Sequence, residues 1–158
     1  MYKKLSISLV MIFCLTGCSE PPVQVDFKAI PITESKNYHL ICPPEYCNID
    51  PNEISPIYSV DIQSVDYHWQ EVMEKEPRII NIAGDEKKHQ YTYVQRSKYL
   101  RLPDTINVQI IPMDNNHTTL AIYSKSKYGY SDFGSNKARI DDLLVKLHES
   151  LREHRNSE

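Results

Sequence analysis

Two alternating runs constrain this chain most. Thr105–Ile111 places Ile106, Val108 and Ile110 on one face, and Thr118–Ser126 returns with Leu120 and Ile122 inward. Asp114-Asn115-Asn116-His117 turns the chain between them. A period of two with β-branched residues is a half-buried strand, and a short polar turn makes the pair an antiparallel hairpin. Such a hairpin needs further strands and a cover for its apolar face. Upstream, His89–Arg96 alternates Tyr91 and Tyr93 against Thr92 and Val94, and Arg78–Ala83 is strand-like before a turn at Gly84–Lys87. Ile57–Ile62 alternates and reads as a first strand. Two segments carry a helical period instead. Ser64 is placed to cap a helix to Lys75, with Val65, Trp69, Val72 and Met73 on one face and Pro77 as its stop. A last helix reaches Arg152, with Phe133, Ile140, Leu144, Leu147 and Leu151 as its stripe. The expected fold is α+β: an antiparallel sheet of about five strands with two helices on one face, ordered strand, helix, four strands, helix.

The N-terminus reads as an address. Lys3 and Lys4 precede an apolar run from Leu5 to Leu15 that is too short for a transmembrane span and has the anatomy of a secretory signal. The run ends in Leu15-Thr16-Gly17-Cys18, which resembles the lipobox of bacterial lipoproteins. The resemblance implies cleavage before Cys18, acylation of that residue and a membrane anchor. Ser19, in place of Asp, implies sorting to the outer membrane; the expected side is the periplasm, though the sequence does not separate this from the cell surface. Several acyl chains on one residue anchor stably, since each buried methylene contributes about 0.8 kcal/mol. Residues 1–17 are then the signal, 18–36 a Pro-containing tether, 37–152 a single domain and 153–158 a disordered tail. Within that domain, Asn37–Pro56 reads as irregular structure over the surface.

Loss of residues 1–17 leaves 141 of the 158 residues and removes two lysines, so a formal charge of −3 becomes −5. A mildly acidic chain without a Lys/Arg block is not built for nucleic acid. Cys14 leaves with the signal and Cys18 carries lipid, so Cys42 and Cys47 remain. In an oxidising envelope that pair is expected to form a local disulfide. Half of a zinc site is the competing reading. It lacks a second ligand pair, and the spacing is not the C-x-x-C of a redox couple.

No motif of established chemistry is present. There is no nucleophile elbow, zinc-protease helix, phosphate loop or dinucleotide fingerprint. The six histidines are scattered and read as exposed, and Asp141-Asp142 reads as a solvated helix face. No catalytic residue, metal ligand or cofactor is assigned. The eleven tyrosines, against three Phe and one Trp, suit sheet packing or a binding face.

The segment Tyr128–Ile140, YGYSDFGSNKARI, holds two of the four glycines and several good cap residues. In a helix starting at Asp132, residues 132, 136 and 139 share one flank. Asp132 can cap the helix and Arg139 can satisfy it. Alternatively Lys125, Tyr130, Asp132, Asn136 and Arg139 line a polar pocket facing an anionic or polar ligand.

This segment also resembles the hallmark of the domain of unknown function family fourteen-ninety-nine. The matching residues are Gly129, Tyr130, Ser131, Asp132, Gly134, Asn136, Arg139 and Ile140, with Pro103 and Asp104 upstream. The resemblance spans roughly residues 40–150 and implies a fold and a motif, not a reaction. Tyr123 and Lys127 stand where the family usually has Arg, which puts any anion site there in doubt. The expected role is a lipid-anchored envelope protein, a non-catalytic binding or accessory module for an envelope protein or a small polar ligand. The alternatives are an envelope hydrolase and an assembly protein using a Tyr-rich sheet face. The sequence sets no oligomeric state.

Overall fold

The computed structural model describes residues 24–155. The expected signal and Cys18 lie outside the described residues. Six strands form one sheet in the order β2-β1-β6-β5-β4-β3. They are β1 (Tyr38–Cys42), β2 (Glu53–Ile54), β3 (Ile79–Asp85), β4 (Gln90–Arg96), β5 (Pro103–Pro112) and β6 (Thr118–Ser126). The helices are α1 (Ile62–Lys75) and α2 (Ser135–Arg155). All pairings are antiparallel except β1 with β2, which is parallel. The sheet is therefore mixed, with one more strand than expected.

Two elements differ from the sequence reading. Ile57–Ile62 is not a strand: only Tyr58 bridges to Thr118, and Ile62 already belongs to α1. The sheet instead recruits β1, inside the segment expected to be irregular, which pairs Tyr38–Ile41 with Lys125–Ile122. Leu40, Ile41 and Cys42 are all buried. A strand covered on both faces has no alternation to read. β6, between β1 and β5, is also buried along almost its whole length, but Leu120 and Ile122 keep a period of two that marks its helix-facing side.

α1 is capped by Asp61 rather than Ser64. The Asp61 carboxylate accepts from the Ser64 amide at 3.0 Å and from its hydroxyl at 2.9 Å. A carboxylate one turn earlier satisfies the same free amide and adds charge at the positive helix end. Val65, His68, Trp69, Val72 and Met73 then face inward. α2 runs to Arg155 and buries Asn136, Ile140, Leu143 and Leu147. Phe133, expected in that stripe, precedes the helix and is 97% exposed.

Both helices pack on one face, over Tyr91, Tyr93, Ile106, Val108, Ile110, Leu120 and Ile122. The other face is covered by the segment before β1. Phe27 and Ile30, expected in the tether, are buried there against Leu40, Cys42, Ala121 and Tyr123. Cys42 and Cys47 are joined by a disulfide beside this second core. With Tyr91, Tyr93 and Tyr123 buried, the described sheet offers no exposed tyrosine-rich face; among the described residues the exposed tyrosines are Tyr67, Tyr99, Tyr128 and Tyr130. Both clusters are complete within residues 25–151, so a chain starting at Ser19 keeps the whole core described here.

Candidate functional site

Strand register builds the site. On the helix-covered face, Gln95 of β4 lies beside Asp104 of β5, and Asp104 beside Ser126 of β6, with Ser124 two residues further along β6. This polar row lies at the end of the sheet where α2 begins. Asn136 and Arg139, three apart in the first turns of α2, lie over it. The Arg139 guanidinium donates from Nη2 to Asp104 Oδ2 at 2.5 Å and from Nε to Gln95 Oε1 at 2.5 Å. Its Nη1 donates to Ser124 Oγ at 2.9 Å and Asn136 Oδ1 at 2.5 Å. Asn136 has no exposed surface. Its amide group donates to the Asn37 carbonyl at 3.0 Å, Ser126 Oγ at 3.2 Å and Asp132 Oδ2 at 2.6 Å.

Asp132 caps α2. Its Oδ1 accepts from the Gly134 amide at 3.1 Å and its Oδ2 from the Asn136 amide at 2.8 Å. Burial pushes its carboxyl up, but these amides and the Asn136 side chain outweigh that and hold it below the usual carboxylate value. Asn37, just before β1, closes the network by donating to the carbonyls of Ser126 at 3.0 Å and Gly129 at 2.7 Å.

Three of the expected site residues, Asp132, Asn136 and Arg139, thus meet as foreseen, but their polar atoms are spent on one another and on the sheet. Lys125 is not with them. It lies between Ser124 and Ser126 in β6, so its side chain leaves from the opposite face, on the side of Tyr123. Tyr130 is 64% exposed, and its backbone carbonyl accepts from Lys36. Asp104, Gln95, Ser124, Ser126 and Asn37 complete the network; the family resemblance pointed to Asp104 and to the two serines of β6, and nothing in the sequence pointed to Gln95 or Asn37.

What the network holds is the loop between β6 and α2. Gly129 and Gly134 have φ of 87° and 82°, and between them Phe133 has φ of 53°, a left-handed conformation costly for a side chain of its kind. The β4–β5 loop stands beside it: Lys127 donates its amide to the Pro103 carbonyl, and Arg101 has φ of 56°. These two loops expose Tyr99, Leu100, Leu102, Tyr128, Tyr130 and Phe133 at one end of the sheet. Residues 96–102 and 127–134 carry four cations (Arg96, Lys98, Arg101 and Lys127) against the single acid Asp132. None of the four is in an ion pair among the described residues.

The histidines are less exposed than the sequence suggested. His39 and His68 are buried, and His89 Nδ1 lies 2.5 Å from Asp66 Oδ2, which also accepts from the Tyr91 hydroxyl at 3.0 Å. A carboxylate that orients a histidine is half of a proton-relay arrangement. Asp66 is the side chain on that ring among the described residues, so the pair ties the residue before β4 to α1 without a bonded nucleophile. Burial lowers the His68 pKa, opposed by Glu71. Among the described residues no group of three or more His, Cys, Asp and Glu could hold a metal ion.

A family model described as "Protein of unknown function (DUF1499)" matches residues 15–147. No match was found among curated proteins. That span takes in both helices up to Leu147, all six strands and the entire buried network. The chain therefore belongs to the family of proteins of unknown function DUF1499.

Proposed function

We propose that this protein is a lipid-anchored, non-catalytic module of the bacterial cell envelope that docks on an anionic lipid surface through its β4–β5 and β6–α2 loops. The observation that carries the reading is Phe133, held 97% exposed in a left-handed backbone by a buried polar network. An apolar patch rimmed by unpaired cations fits the boundary between headgroups and acyl chains. Cations near an anionic leaflet contribute about 1 kcal/mol each. Lys98 and Lys127 lie 5.2 and 5.7 Å from the rings of Tyr99 and Tyr128, so charge and aromatic surface are presented together. An acyl group on Cys18 would raise the effective concentration of the domain at the bilayer, so weak contacts suffice there.

The test is co-sedimentation of the unlipidated chain from Ser19 with vesicles of phosphatidylcholine, alone or with one quarter phosphatidylglycerol. Binding is expected only with the anionic lipid and is expected to weaken with salt. Phe133→Asn keeps a residue that tolerates the left-handed backbone and should cut binding while leaving stability equal or higher. Binding that ignores lipid charge, or a variant that binds like the wild type, overturns the reading.

A further inference from the structure

The far half of α2 borders a second feature, about 16 Å or more along the helix from Phe133. Between the Ile54–Val60 segment and α2 lies a cavity of 680 Å³. Its volume falls within the range of small-molecule sites. Its walls include Ile54, Ile57 and Val145, each more than half exposed. Leu144, Leu151 and Val60, which pack on the main core, also line it. Exposed apolar side chains in a concavity need an explanation that scattered surface ones do not.

The charges around it supply one. Arg152 and Arg155 line the cavity with His148, against the single carboxylate Glu149. Neither arginine is in an ion pair among the described residues. The geometry points to a binding site for a single-chain anionic amphiphile. Its hydrocarbon tail lies against Ile57 and Val145, and its carboxylate or phosphate head is taken by Arg152 and Arg155. A planar guanidinium suits either head, since both offer paired oxygens. The inference does not rest on the loop surface, which is at the other end of α2.

The experiment is calorimetric titration of the chain from Ser19 with laurate and with monododecyl phosphate, each below its micelle concentration, and with dodecyl maltoside as an uncharged probe. Saturable one-to-one binding of at least one anion is expected, and which of the two binds identifies the head. Arg152→Ala with Arg155→Ala should weaken that anion by about tenfold or more, the scale of a lost charge-assisted hydrogen bond, and leave dodecyl maltoside unchanged. Val145→Asp, at an exposed position the fold tolerates, should abolish tail binding. Phe133→Asn should bind as the wild type does, which separates this site from the loops. Absence of saturable binding, equal binding by every variant, or a stable dimer whose interface excludes the probes overturns the proposal.

Discussion

Arg139→Met isolates the electrostatics of the buried network, because methionine keeps the aliphatic stem and removes the guanidinium. The change strands Asp104, whose side chain is 12% exposed, without its cation. It also takes one partner each from Gln95, Ser124 and Asn136. Breaking a buried pair by deleting one member costs about 3–5 kcal/mol. Arg139 itself retains 13% exposure, so water reaches the pair and the low end, about 3 kcal/mol, is the expected loss. Asp104→Leu alone leaves the cation with neutral partners and should cost less, about 2 kcal/mol. The double variant removes both charges, so it should be more stable than the sum of the single losses by about 2 kcal/mol or more. Urea unfolding followed by Trp69 emission reads all four proteins, since this is the single tryptophan and is fully buried. An unchanged urea slope would show that each variant unfolds from the same compact state. A loss below about 1 kcal/mol for Arg139→Met, or strict additivity in the cycle, would refute the claim that this network holds the loop.

Two further predictions concern conditions rather than contacts. The folded Asp132 carboxyl lies below its unfolded value, so its contribution is complete above the unfolded pKa of about 4 and is lost as pH falls through the lower folded value. Asp132→Asn should therefore be less stable than wild type at neutral pH, with the gap narrowing below about pH 4; a gap that stays constant into acid would contradict the capping role. Reducing the Cys42–Cys47 disulfide opens a loop of six residues and should cost about 2 kcal/mol by the loop-entropy relation, measured as a lower urea midpoint in reductant. No shift in that midpoint would mean that the buried Cys42 and its neighbours hold the loop without the bond.

Much of the helix-covered half was legible. Val65, Trp69, Val72 and Met73 declared α1, and the alternations of β4, β5 and β6 fixed which residues face the helices. β1 was hidden because His39-Leu40-Ile41-Cys42 is buried on both faces and so lacks a period. Ile57–Ile62 misled for the opposite reason: its alternation is real, but Asp61 starts a helix there. Phe27 and Ile30 carry no pattern at all until the sheet presents Ala121 and Tyr123 to them. The site divided in the same way. Asp132, Asn136 and Arg139 are neighbours by helical spacing, so sequence brought them together. Asp104 and Gln95 reach Arg139 only through strand register, and the Asp66–His89 contact joins α1 to the residue before β4. Lys125 was misplaced by one residue's alternation, which in a strand reverses the face.

The motif is more than a helix cap, and its arrangement says why. A cap needs one side-chain oxygen over free amides, which Asp132 alone supplies. The fold nevertheless adds Asn136, Arg139, Asp104 and Asn37, and buries them where an apolar core would be simpler. At the same end it holds Arg78, Arg101 and Phe133 at positive φ, each a conformation that costs an ordinary side chain about 1–2 kcal/mol. A loop left free would relax from those angles and fold its aromatic groups back onto the protein. Hydrogen bonds from Asn37 and to Asp132 reach the loop's backbone, at Gly129 and Gly134, and so oppose that relaxation where it would begin. Polar residues stand inside and Phe133, Tyr130 and Tyr128 outside, the reverse of the distribution that stability alone selects. Such an inversion suits a surface kept for something outside the molecule, and in the proposed function the loop is that surface and the network its support.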